Sequence, residues 1–255
     1  MKLKDAVCIV TGSGTGTGAA CAMQLANKGA RVLVNYNRSE REARDVVEKC
    51  IAAGGDALLA QGNVADDKDC RALAQAALDK WGRIDALINN AEITKFASAS
   101  DLDALDAEDF QRIYAVNVIG AYQMTRACVP AMKKQGMASI VNISSLSGVR
   151  GVGSSTAYVA SKGALNAMTL ALARALAPEI RVNAVCPGLI DTRWHSARFN
   201  AEDYEKFKAA YENTVPLAKS ASPNDVADVA LWLLEAAALV TGKIILVDGG
   251  LHLGK

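Results

Sequence analysis

Tyr158 and Lys162 stand four residues apart in Tyr158-Val159-Ala160-Ser161-Lys162, a run set in Ala-rich sequence without helix breakers. On a helix this spacing puts a phenol and an ammonium on one face, one turn apart. Free tyrosine ionises at about pH 10. A positive charge roughly 5 Å away, at an effective dielectric of about 20, favours the phenolate by about 3 kcal/mol, or about two pK units. The pair therefore describes an acid/base brought toward neutral pH. On these five residues alone, a surface tyrosine and lysine sharing a helix face by chance is the alternative.

Such a pair needs a frame and a reaction partner. Residues 6–10, Ala-Val-Cys-Ile-Val, form a continuous apolar run that ends in Thr11-Gly12-Ser13-Gly14-Thr15-Gly16-Thr17-Gly18, and helix-periodic sequence follows over 18–28. The order is strand, phosphate loop, helix. Glycines at 12, 16 and 18 permit a tight turn, close approach of backbone to a pyrophosphate and close packing of helix on sheet. Further strands are expected at 32–34, 57–60, 86–89, 139–143, 181–185 and 244–247. Helices are expected at 39–53, 67–81, 106–135 and around Tyr158. The alternation predicts an α/β fold with a parallel sheet, apolar on both faces and covered by helices on both sides. It continues over 1–255 as one domain. Between 189 and 216 it lapses into a segment carrying Trp194, His195, Phe199, Tyr204, Phe207 and Tyr211, placed where a substrate lid follows a strand's C-terminal end. Ser222-Pro223-Asn224-Asp225 reads as a capping box that restarts the helical pattern.

Composition narrows the partners. The chain has 255 residues, 51% of them hydrophobic, and a formal net charge of +1 with both signs interspersed. Neither nucleic acid nor a membrane surface is an expected partner, and a small neutral or weakly charged molecule is. The six cysteines are scattered through apolar runs without Cys-x-x-Cys pairs or neighbouring histidines, so no metal site is expected. No apolar stretch reaches bilayer-spanning length, and a cytoplasmic location is expected.

The Thr-Gly-x-x-x-Gly-x-Gly spacing, Asn89-Asn90-Ala91 and the Tyr-x-x-x-Lys pair together resemble the short-chain dehydrogenase/reductase family, over essentially the whole chain. Asn117, Ser145, Pro187-Gly188 with Thr192, Val240-Thr241-Gly242 and Val247-Asp248-Gly249-Gly250 extend the resemblance in the family's order. It implies a single-domain Rossmann fold with a doubly wound sheet of seven parallel strands and a nicotinamide cofactor. By the same resemblance Tyr158 is the general acid/base and Ser145 polarises the substrate oxygen. Lys162 favours the phenolate and binds ribose hydroxyls, and Asn117 holds a water that links Lys162 to solvent. Implied cofactor contacts are Gly12, Ser13, Thr15, Gly16, Thr17 and Gly18 in the phosphate loop, with Asn37, Arg38, Asn63, Val64, Asn90, Ala91, Tyr158, Lys162, Pro187, Gly188 and Thr192. Neutral donors and a tuned acid suit an alkoxide-like transition state, while the cofactor carries the redox chemistry.

Cofactor choice is read at the end of the second strand, Asn35-Tyr36-Asn37-Arg38-Ser39. No carboxylate is available there for a ribose diol, and Arg38 suits a 2′-phosphate, which favours NADP(H) over NAD(H). Asn63 stands where the family commonly has aspartate, leaving a weaker acceptor for adenine. Glu92 departs further, because the family pattern calls for glycine. Its side chain turns to solvent, or weakens cofactor binding by crowding and repulsion, or serves a specialised substrate.

The pocket wall is read as Leu146, Val149, Val152, Leu189, Trp194, His195 and Phe199, which favours an apolar carbonyl or alcohol. Stretches 133–136 and 177–179 lack the arginines often seen in family members that reduce 3-oxoacyl groups on acyl carrier protein. Ala-rich helices at 120–132 and 157–177 show little polar surface, and the resemblance implies that they pair across a two-fold axis in a homotetramer. The expected activity is NADP(H)-dependent hydride transfer between nicotinamide and a carbonyl or secondary alcohol. The alternative is a catalytically impaired dinucleotide-binding or scaffolding protein on the same fold, for which Glu92 is the one hint.

Overall fold

Val7 and Ile9 face one layer of helices and Cys8 and Val10 the other, the alternation of a strand covered on both sides. This first strand, β1 (Val7–Val10), lies at the middle of a seven-stranded, all-parallel sheet. The others are β2 (Arg31–Tyr36), β3 (Asp56–Gln61), β4 (Ala86–Asn89), β5 (Ala138–Ile143), β6 (Ile180–Pro187) and β7 (Ile244–Val247), in the order β3-β2-β1-β4-β5-β6-β7. The computed structural model describes residues 1–196 and 199–254, with His195 described by its backbone only. All seven strand positions expected from sequence are occupied, β2 and β6 running longer than their apolar cores.

Two layers of helix close the sheet. On one side α1 (Gly16–Asn27), α2 (Glu40–Ala52) and α10 (Pro223–Glu235) pack on Cys8, Val10, Val32, Val34 and Ile88. On the other, α3 (Asp67–Trp81), α5 (Ala121–Lys133) and α7 (Thr156–Leu176) pack on Val7, Ile9, Leu33, Leu87 and Ile140. The chain reverses its direction of winding between β1 and β4, so the loops after those strands diverge and leave a crevice at the strands' C-terminal ends.

The helical stretch expected at 106–135 is three pieces. α4 (Ala107–Tyr114) passes through a π-helical segment, Ala115–Gly120, into α5. The segment contains Asn117, and such local widening often accompanies functional sites. The lid segment also has structure of its own, in α8 (Arg193–Ser196) and α9 (Ala201–Glu212). α10 opens with the expected capping box, in which Ser222 and Asp225 each accept the other's backbone N–H.

Ser147–Arg150 forms a short helix, α6, that rests directly on α7. A Cβ at Gly148 would stand 2.5 Å from the carbonyl carbon of Lys162 and 2.6 Å from the amide nitrogen of Gly163. Backbone meets backbone there, so no rotamer change relieves the clash. Gly148→Ala is expected to cost about 3 kcal/mol, the upper part of the range for overpacking. Thermal denaturation checks this, and an unchanged melting temperature would contradict the close seating of α6 on the lysine turn.

Candidate active site

Thr11 follows β1, and its hydroxyl accepts the backbone N–H groups of Asn90 (2.9 Å) and Ala91 (3.0 Å). The Asn90 amide returns the tie by donating to the carbonyls of Thr11 (3.0 Å) and Gly12 (3.1 Å). The loops after β1 and β4 are thereby locked together. Gly12 sits at φ 60° with Ala91 so close that an added Cβ would lie 2.9 Å from its Cα. Asn35 supports the turn from below by accepting the Gly12 N–H at 3.0 Å.

These loops floor a cleft of about 1730 Å³ along the C-terminal edge of the sheet. At one end it opens on the N-terminus of α1, where Thr15, Gly16 and Thr17 line it and the Thr15 side chain makes no capping hydrogen bond. The first N–H groups of a helix have no intrahelical partner, and an uncapped helix start at a cleft suits a phosphate group. A Cβ on Gly16 would meet only Thr192, at 3.8 Å. Asn37, Arg38, Asn63 and Val64 line one flank, and Pro187, Gly188 and Thr192 the other. Among the described residues Arg38 makes no ion pair, while the nearby carboxylates Glu40 and Glu42 pair with Arg44 and Arg193. The residues present therefore fit a dinucleotide carrying phosphates. Ser13 and Gly18 stand apart from the lining, since Ser13 is fully buried on Val10 and Asn35. An added Cβ on Gly18 would come within 2.6 Å of the Gly12 carbonyl. Asn63 lines the cleft, but its amide oxygen already accepts the Ala65 N–H at 3.2 Å.

At the other end Ser155 caps α7 by accepting the Tyr158 N–H, which fixes the tyrosine in the helix's first turn. Tyr158 and Lys162 share a face as their spacing predicts, with Nζ 5.5 Å from the phenol ring. Lys162 is 1% exposed and donates to the Ile143 carbonyl at 2.9 Å. Ser145 lines the cleft beside the phenol, and its hydroxyl accepts the Ser147 backbone N–H at 3.1 Å. Asn117 lies behind this surface. Its side chain clamps Ile93, accepting its N–H at 2.8 Å and donating to its carbonyl at 3.0 Å, and also donates to Ser161 at 3.1 Å.

Glu92 does not turn to solvent. One of its carboxylate oxygens accepts the Tyr158 hydroxyl at 3.1 Å and the Lys162 ammonium at 2.5 Å. Burial pushes the phenol well above its ordinary range, the negative charge of Glu92 adds to the rise, and the Ser145 hydroxyl opposes it. The sequence spacing alone suggests the reverse shift. It counts the lysine charge and has no means of placing a carboxylate against it.

Leu146, Val152, Leu189 and Trp194 line the cleft near Tyr158, and the indole lies 6.3 Å from the phenol ring, centroid to centroid. Val149 is half exposed, Phe199 stacks on Phe207 at 5.2 Å, and the His195 side chain lies outside the described residues. Sequence reasoning quoted Thr11 and Asn35 within its motifs without foreseeing that Thr11 would tie down the loop after β4 or that Asn35 would hold Gly12. Their roles depend on which loops the sheet order brings together, and no local signal marks them. All six cysteines are buried and unpaired, and no group of His, Cys, Asp and Glu is arranged to hold a metal among the described residues.

Residues 12–252 match a family model described as enoyl-(acyl carrier protein) reductase. A protein described as ketoacyl reductase 2 of the granaticin polyketide synthase from Streptomyces violaceoruber is 40% identical over 247 residues, covering 97% of this chain and 96% of that one. A 3-oxoacyl-[acyl-carrier-protein] reductase from Synechocystis is 38% identical over 248 residues, covering 96% of each. The crystal structure of a protein described as a short-chain dehydrogenase/reductase from Burkholderia xenovorans superposes with a TM-score of 0.92 at 39% identity, covering 98% of this chain and 99% of that one.

Proposed function

The chain belongs to the short-chain dehydrogenase/reductase family, and from that premise we propose that it is an NADP(H)-dependent reductase in which Tyr158 protonates the oxygen of an apolar carbonyl substrate. As a member of that family it is an oxidoreductase of the C=O/CH–OH class with a nicotinamide cofactor. The observation that carries the finer reading is a single cleft with the uncapped start of α1 at one end and the Ser145 and Tyr158 hydroxyls at the other.

Bound there, the nicotinamide supplies the hydride. The protein's residues manage the oxygen. Ser145 offers an O–H donor to a carbonyl seated beside it, and the Tyr158 hydroxyl turns from Glu92 to the same oxygen, to which its proton moves as charge develops. Leu146, Val152, Leu189 and Trp194 give the substrate apolar walls and limit water beside the reacting carbon. Asn117 holds Ile93 and so fixes the loop opposite the phenol. The relatives named as ketoacyl reductases support a ketone within an acyl chain as the substrate class. The measurement is turnover of a panel of ketones, ketoacyl thioesters, aldehydes and quinones, followed by NADPH absorbance. Absence of turnover with all of them would remove this reading. The second reading, a dinucleotide-binding protein with impaired chemistry, is favoured only by the Glu92 contact. It would be recognised by NADPH binding without turnover that Glu92→Gly restores.

For the cofactor, Arg38 at the cleft rim supports NADP(H). Charge-assisted hydrogen bonds to a phosphate contribute about 1.5–3 kcal/mol, so NADPH is expected to exceed NADH in kcat/KM by roughly tenfold to a hundredfold. Arg38→Asp is expected to abolish that margin, and a preference of the unaltered protein for NADH would overturn the assignment. Exposed Ile119, Tyr122 and Leu170, on and beside the Ala-rich helices, support a homotetramer. No helix among the described residues is long and apolar enough to cross a membrane.

A further inference from the structure

We infer that Glu92 is the acid–base partner of Tyr158, a carboxylate that contacts the phenol and Lys162 together and holds the phenol in its protonated form against the pull of the ammonium. This rests on the reading of Tyr158 as the acid/base. The first support is placement. Glu92 follows Ala91, whose N–H is bound by Thr11, and precedes Ile93, whose N–H and carbonyl are both held by Asn117. With the backbone fixed on both sides, only side-chain torsions remain, and they aim the carboxylate at the pair.

The second support is the charge arrangement. A single oxygen takes the phenol proton's hydrogen bond and the ammonium together. The titratable or polar groups that face the phenol among the described residues are Glu92 from the loop after β4, Lys162 on its own helix and Ser145 from the loop after β5. To these β6 adds the Cys186 thiol, and α8 adds the neutral indole of Trp194. Burial keeps the thiol protonated. Glu92 and Lys162 are thus opposite charges in contact, and Glu92, in hydrogen-bond contact with the hydroxyl, opposes the ammonium. Its charge adds to burial in favouring the neutral hydroxyl. A glycine at 92 would leave the ammonium unopposed, and the phenolate would form at lower pH. Glu92 moves the pH at which Tyr158 changes state, not the equilibrium between carbonyl and alcohol.

The first readout of the test needs neither cofactor nor substrate. Near-ultraviolet phenolate absorbance is titrated in the unaltered protein, Glu92→Gln and Glu92→Gly, with Tyr158→Phe in each background subtracted to isolate one tyrosine among six. The Tyr158 midpoint is expected to fall by about one pH unit or more in both variants, the size of one neighbouring charge. The alkaline limb of kcat/KM for reduction should move down with it. Glu92→Gln keeps the shape and Glu92→Gly removes it, so a shared shift reports charge. A midpoint that stays in place or rises in both overturns the inference. Failure to turn over any carbonyl would instead remove the proposed function and leave the titration result standing.

Discussion

Tyr158→Phe is expected to lower kcat for carbonyl reduction by roughly 10²–10⁴-fold, the usual contribution of a positioned general acid. That range corresponds to about 3–5 kcal/mol of transition-state stabilisation. The ring stays in place because helix α7 fixes it through the Ser155 cap, which uses the backbone N–H and not the hydroxyl. Glu92 loses one hydrogen-bond donor but keeps the Lys162 ammonium at 2.5 Å. The stability cost is therefore limited to one net hydrogen bond, about 1 kcal/mol. Kinetics and melting curves on the same preparation check both halves. NADPH binding should survive, since the phosphate-loop end of the cleft does not involve the hydroxyl. Undiminished turnover by a folded Tyr158→Phe protein would exclude the phenol as the proton donor.

The fold was legible because its strands announce themselves. Val7–Val10 and Ala86–Asn89 are short apolar runs ended by Thr-Gly or Asn-Asn turns, which is what a strand covered on both faces needs. The π segment was not legible. Ala115–Gly120 carries helix-forming and β-branched residues that a regular α-helix would also accept, so no local signal marks its widening. The lid helix Ala201–Glu212 was hidden for a different reason, its apolar side being mostly aromatic and its burial slight apart from Tyr204.

At the site, the spacing of Tyr158 and Lys162 gave their shared face, because one helical turn is a local property. Glu92 shows where local reasoning stops. It lies 66 residues before Tyr158, and whether its side chain faces water or the phenol depends on the register of β4 against β1 and on the clamp that Asn117 places on Ile93. Its departure from the family's glycine marked the position as unusual without fixing its direction. Ser13 illustrates the converse. It falls within the phosphate-loop motif, yet its hydroxyl is spent inside the protein on Val10 and Asn35.

Lys162→Met is expected to reduce kcat by about 10²–10³-fold, the loss usual for one electrostatic stabiliser, while the melting temperature changes little. The side chain is 1% exposed, and methionine fills nearly the same volume with an unbranched apolar chain. Removing one partner of a buried ion pair usually costs about 3–5 kcal/mol, because the remaining charge is stranded. Here the remaining charge is Glu92, whose side chain is 25% exposed and can turn to water. The stability change should then stay within about 1–2 kcal/mol, or a few degrees for a chain of this length. Adding Glu92→Gln to Lys162→Met should leave stability near that of the single variant, since neither background holds a stranded charge. It should not recover kcat, since the cation that stabilises the forming phenolate is still missing. A folded Lys162→Met protein with unaltered kcat would show that the ammonium does not act on the chemistry. A loss of several kcal/mol, relieved by Glu92→Gln, would show instead that the carboxylate cannot leave the phenol.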